Sequence, residues 1–149
     1  MCSSDLEQLD WLAEDPASRM AGAVDEIIRW ASPLTYMART AVADVEVGGQ
    51  LIRAGDRVAM FYCSGNRDEA VFDDPHAFRL DRENAYQHLA FGVGSQSCMG
   101  SSLARVELDA VMTEFVSRVQ RVEVVGDVKR LQSSWVRGVK QLPVRVTLR

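Results

Sequence analysis

Between residues 91 and 100 the chain reads Phe91-Gly92-Val93-Gly94-Ser95-Gln96-Ser97-Cys98-Met99-Gly100, and a long stretch of helical periodicity follows from Ser101. This loop is the strongest constraint on what the chain can become. Its glycines let the backbone turn tightly and approach another group closely, which side chains would prevent. The loop delivers Cys98 to the mouth of the following helix, where partial positive charge and unpaired N–H groups favour a thiolate. Phe91 offers a flat apolar wall beside the sulfur. A thiolate in that setting serves either as a nucleophile or as a metal ligand, and the rest of the chain has to choose between them.

Composition narrows the setting. The 149 residues, 47% hydrophobic and 26% charged, suffice for one domain with a core. A net charge of −4 gives no global attraction for nucleic acid. No apolar run approaches the roughly 20 residues that span a bilayer, and the N-terminus lacks the basic start and apolar segment of a secretory signal. Cys2, Cys63 and Cys98 are odd in number and far apart. A disulfide framework is therefore not expected, and a reducing, cytoplasmic setting is. His76 and His88 are the only histidines, and they do not make a zinc-ligand spacing.

Along the chain, Leu6, Leu9 and Leu12 predict an amphipathic helix over residues 5–15. A second helix follows over residues 17–31, with Val24, Ile27 and Ile28 as its stripe, Glu26 and Arg29 on one face, and Ser32-Pro33 as its stop. The period then changes. Residues 36–41, 45–47, 50–52 and 58–63 read as short strands separated by Gly48-Gly49 and Ala54-Gly55-Asp56, an antiparallel meander in which Cys63 is a core residue. Asn66-Arg67-Asp68-Glu69 reads as the start of a short helix. A long irregular segment from Phe72 to His88 follows, of the kind that is functional or pinned to something else. The helix after Cys98 runs to Val119, with Leu108, Met112, Phe115, Val116 and Val119 as its apolar face. The tail gives a strand at Val122–Val125 and a terminal hairpin from Leu131 to Leu148 turning near Gly138. From Arg121 onward seven Lys or Arg stand against Glu123 and Asp127, a solvated face or, alternatively, a redox-partner patch.

These residues carry a resemblance. Phe91-x-x-Gly94-x-x-x-Cys98-x-Gly100 resembles the haem-binding loop of the cytochrome P-450 haem-thiolate monooxygenases, and Glu26-Ile27-Ile28-Arg29 resembles that family's Glu-x-x-Arg helix. The order of elements matches over nearly all of residues 10–149. Arg29-Trp30-Ala31-Ser32-Pro33, Tyr36-Met37, Arg39-Thr40 and Tyr62-Cys63-Ser64-Gly65-Asn66-Arg67-Asp68 look like the bacterial members that hydroxylate sterol side chains and methyl-branched lipids. The fold this implies is mainly α with a small antiparallel β meander and a terminal hairpin, the C-terminal part of the cytochrome P-450 fold, so that residues 1–149 form a partial domain.

The resemblance also implies roles. Cys98 is the axial ligand of haem b iron, its thiolate pushing electron density toward the metal. Arg39 pairs with a haem propionate, a job suited to a bidentate guanidinium. His88, Phe91, Gly92, Gln96 and Gly100 lie against the cofactor. Leu34, Thr35, Tyr36, Trp135 and Val136 sit on the side of a small apolar substrate, and a ferredoxin-type partner supplies electrons. Glu26 and Arg29 are structural.

Three departures from the family pattern accompany this. Gln96 stands where the family usually carries a His or Arg for a propionate. Ala77 stands where an Arg usually completes the Glu26–Arg29 pair, leaving Arg82 to compensate. The family's oxygen-activating helix has no counterpart in these residues. The expected activity of the isolated chain is therefore nil, and the alternative reading is an inactive remnant, at most a haem-binding or interaction module. A cysteine-nucleophile hydrolase is the weakest reading, because no histidine is placed as a recognisable base.

Overall fold

The computed structural model describes residues 3–149, with side chains from Glu7 onward; Cys2 and the Leu6 side chain lie outside the described residues. Three helices enclose the core. Helix α1 (Ser3–Glu14) is followed at once by α2 (Pro16–Ala31). Asp15 caps α2 by accepting from the Ser18 N–H, and Pro16 occupies a first-turn position where a missing N–H costs nothing. The Ser18 hydroxyl also donates to Asp15, and these bonds hold the Asp15 carboxyl below its usual pKa. Ser32 ends α2 in the left-handed region at φ 40°, its N–H still bonded to Ile28 O at 3.0 Å, because Pro33 bars another helical residue. The last long helix, α4 (Ser101–Arg118), lies across α2, and Val116 joins Leu9, Leu12, Met20, Ala23, Val24 and Ile28 in the core. Leu108, Met112 and Phe115 flank that core, and Val119 is buried, on the face that the sequence periodicity predicts.

The strands do not form a simple meander. β1 (Tyr36–Thr40) pairs antiparallel with β4 (Arg57–Phe61), and β2 (Val45–Val47) pairs with β3 (Gln50–Ile52) as a separate hairpin nested between them. Gly48 and Gly49, both at positive φ, close that hairpin on itself, so β4 passes over it to the free edge of β1. Tyr62 and Cys63, expected to prolong the strand, instead enter a single helical turn, α3 (Tyr62–Gly65), and no helix starts at Asn66–Glu69. The tail is nested in the same way. β5 (Val119–Val124) continues directly from α4 and pairs with β8 (Val144–Leu148), while β6 (Lys129–Arg130) pairs with β7 (Val139–Gln141). Pro143 separates β7 from β8 and hands the chain to β5, where Val125 N–H donates to Pro143 O at 3.0 Å. The expected hairpin is thus two pairs, and its connection spans residues 131–138.

The irregular segment from Phe72 to His88 is pinned by buried charge. Glu26 and Arg29, both fully buried on α2, meet through two bonds of 2.6 and 2.8 Å. Arg82 reaches Glu26 at 3.1 Å, so it fills the place that Ala77 leaves vacant. The backbone takes the remaining donors. Arg29 binds the carbonyls of Asn66, Pro75 and Ala77, Arg82 binds those of Asp73, Asp74 and Ala77, and Glu26 accepts the N–H of Arg79. Carbonyls that no strand or helix would satisfy are thereby paired without regular structure. Glu26→Gln leaves two buried guanidiniums facing a neutral group, and urea unfolding should report a loss of about 3–5 kcal/mol. A loss under about 1 kcal/mol, the level of a surface pair, would show that this network does not hold the segment.

Candidate functional site

Cys98 is exposed, at the open rim of its loop. Its N–H donates 2.8 Å to Phe91 O, which closes the loop across its base. A 3-10 turn over Gly94–Gln96, with Ser97 N–H bonded to Gly94 O, sets the rim. Gly92 sits at φ 69°, and a Cβ there would come to 3.2 Å from the Tyr62 hydroxyl, so this position needs glycine for both conformation and space. Helix α4 begins three residues after Cys98, with Gly100 at its cap, and Ser101 N–H bonds to Cys98 O at 3.3 Å.

Two residues expected against a cofactor share one cavity beside this rim. Arg39 from β1, Met60 from β4 and Tyr62 line a space of about 210 Å³ with Val93, Gly94, Ser95 and Gln96. The Arg39 guanidinium donates only to the carbonyl of Ala38 at 3.0 Å and meets no carboxylate among the described residues. Phe91 and Gly92, at the start of the loop, are half-buried. A cation without a carboxylate partner and an amide donor around one hollow, with an exposed thiol two residues further along the same loop, suit a metal-bearing group that carries carboxylates. The residues present therefore fit haem.

The His88 ring is buried, edge-on to Phe91 with centroids 5.5 Å apart. Nδ1 accepts from Ala90 N–H at 3.3 Å, which directs Nε2 inward to Asp25. Nε2 stands 3.4 Å from the Asp25 carboxylate without the alignment of a hydrogen bond. Arg105 of α4 takes that carboxylate at 2.9 Å and lays its guanidinium over Phe91, 4.9 Å from the ring centre. His88, Asp25 and Arg105 thus support the loop from below.

The residues expected on the substrate side are brought together from positions about a hundred apart. Leu34 bridges Val136, Thr35 N–H donates to Trp135 O at 2.8 Å, and the Trp135 indole donates to Tyr36 O at 3.1 Å. Tyr36 in turn packs against Phe61, ring centroids 5.5 Å apart. Glu26, Arg29 and Arg82 stand apart from the loop, and among the described residues they hydrogen-bond only one another and backbone.

Sequence reasoning missed Asn66 and Ser32. The Asn66 amide, fully buried, donates to the Ser32 hydroxyl at 2.9 Å and accepts Leu89 N–H at 2.5 Å, tying the end of α2 to the approach of the cysteine loop. It also missed Asp25 and Arg105, whose only signal was position, Asp25 next to Glu26 and Arg105 seven residues after Cys98.

Comparison with known proteins accords with this geometry. Residues 20–146 match the sequence profile of the family Cytochrome P450. Linalool 8-monooxygenase of Pseudomonas putida is 41% identical over 138 residues, 93% of this chain and 34% of that protein. The methyl-branched lipid omega-hydroxylase of Mycobacterium bovis is 45% identical over 123 residues, 82% of this chain and 28% of its own. The solved structure of cytochrome P450-153 from Novosphingobium aromaticivorans superposes with a TM-score of 0.87 at 40% identity, covering 95% of this chain and 35% of that one. The chain therefore belongs to the cytochrome P450 family and spans about a third of the length of the curated relatives it matches. No helix among the described residues is long and apolar enough to cross a membrane.

Burial pushes the His88 pKa below its ordinary 6.5; Asp25 opposes that shift and Arg105 adds to it. The unfolded chain then binds a proton that the folded chain refuses, so stability rises with pH between the depressed folded pKa and the unfolded value, and falls as pH drops through that window. Urea midpoints of wild type and His88→Gln, measured at about pH 5 and pH 8, should show the wild type losing more stability on acidification. Equal slopes would mean that His88 is not the group responsible.

Proposed function

We propose that this chain is the C-terminal, cysteine-bearing part of a cytochrome P450 monooxygenase, with Cys98 as the axial ligand of haem b. The observation that carries the reading is the exposed Cys98 thiol on a glycine loop beside a hollow that Arg39 and Gln96 share. Bound through a thiolate, haem supplies the activation of O2 that lets an oxygen atom enter an unreactive C–H bond. The chain's own contribution is positional. Phe91 and Gly92 would hold the loop against the cofactor, and the N–H groups around Met99 and Gly100 would tune the sulfur as donor. Arg39 and Gln96 hold the carboxylate edge. Leu34, Thr35, Tyr36, Trp135 and Val136 bound the space for an apolar substrate, sterol- or lipid-like by analogy with relatives named for linalool, methyl-branched lipid and steroid. A ferredoxin-type donor in the cytoplasm supplies the electrons. Glu26, Arg29 and Arg82 keep the support rigid.

The chain reconstituted with haem, reduced and exposed to carbon monoxide should give the red-shifted absorption band of a thiolate ligand, and Cys98→Ala should abolish it. A band unchanged in Cys98→Ala would remove the assignment. A second reading, a haem-binding or interaction module without turnover, is favoured by the exposed apolar side chains Leu103, Val106 and Val111 on α4. Haem uptake without hydroxylation of any apolar substrate would select it.

Cofactor retention gives a separate measure. A charge-assisted hydrogen bond contributes about 1.5–3 kcal/mol, so Arg39→Gln should speed haem transfer to a scavenging apoprotein by roughly 10- to 100-fold. Gln96→Arg should slow it, since the substitution adds a second cation at the same hollow. Unchanged rates in both variants would place the carboxylate edge elsewhere.

A further inference from the structure

On the other side of β4 from the Arg39 hollow, a second cleft of about 450 Å³ is lined by Phe61, Cys63, Ser64, Arg67, His76 and Arg137. Two guanidiniums and an imidazole line it, and no carboxylate does, in a chain whose net charge is −4. Arg67 is held in place. It donates to the carbonyls of Trp30 at 3.0 Å and Cys63 at 3.4 Å and stacks on the Trp30 ring at 4.9 Å. These bonds use two of the five guanidinium N–H groups, and the rest have no acceptor among the described residues. The Arg137 side chain makes no ion pair or hydrogen bond among the described residues, although its backbone is fixed by a 2.8 Å bond from Arg137 N–H to Pro33 O. Nearby positive charge goes uncancelled. Burial, Arg137 and Arg29 all lower the pKa of Arg67, and Glu26, the one carboxylate acting against them, is committed to Arg29 and Arg82.

We propose that the Arg67–Arg137 cleft is a binding site for an oxyanion, a carboxylate or phosphate group, with Phe61 receiving any apolar portion of the ligand. Arg67 is pre-organised by its carbonyl and aromatic contacts, so ordering it costs little on binding. Arg137 enters from the connection between β6 and β7 and supplies the planar fork that matches two oxygens. His76 adds a third donor. Phe61, 53% exposed and packed on Tyr36, gives the cleft an apolar shoulder. The site is separate from the cysteine loop and does not depend on the haem reading.

Calorimetric titration of the chain with inorganic phosphate and, separately, with decanoate below its micelle concentration tests this. Binding of either anion, weakened by about 10-fold or more in Arg137→Gln while the melting temperature stays unchanged, is the expected result. Decanoate binding further reduced in Phe61→Ala identifies an amphiphilic carboxylate as the ligand class; phosphate binding insensitive to Phe61→Ala identifies a free oxyanion. Absence of binding by both anions, or affinities equal in wild type and Arg137→Gln, overturns the proposal.

Discussion

The structure depends on one buried carboxylate. Glu26 lies fully buried on α2, a position that would be costly for an isolated charge. Two guanidiniums satisfy it, and they in turn make six hydrogen bonds to five backbone carbonyls, holding the coil between Asn66 and Arg82 against the helix. A long segment without regular structure is thereby made as fixed as a strand. Its order is electrostatic rather than periodic, which is why no hydrophobic pattern announces it.

That fixed coil leads into the cysteine loop. Asn66 accepts the Leu89 N–H, His88 and Arg105 brace Phe91, and Phe91 O receives the Cys98 N–H. The position of the thiol therefore traces back, through a handful of hydrogen bonds, to the end of α2. The neighbouring sheets add the rest. The β1–β4 pair carries Arg39 toward the loop, while the connection between β6 and β7 returns Trp135 and Val136 to Leu34, Thr35 and Tyr36.

Nested pairing recurs in both β regions, with the same consequence. An inner strand pair lies between the outer strands, which meet across it, β4 on β1 and β8 on β5. The strand positions follow from alternation and turn residues, but their partners do not, since adjacency in sequence suggests a meander. Gly48-Gly49 and Pro143 decide the outcome by closing one hairpin and interrupting another.

The sequence by itself determined the three long helices, the Gly48-Gly49 turn, the loop that bears Cys98 and, through Glu26-x-x-Arg29 followed by that loop, the cytochrome P450 family to which the chain belongs. These are local signals: periodicity, glycine spacing and a short motif. Only the tertiary structure decided that Arg82 completes the buried charge cluster, that His88 faces Asp25 under the loop, and that Arg39 and Gln96 border one hollow. Each of those facts joins residues tens of positions apart. Their meeting depends on how a segment without period is folded back by buried charge, and no local pattern encodes it.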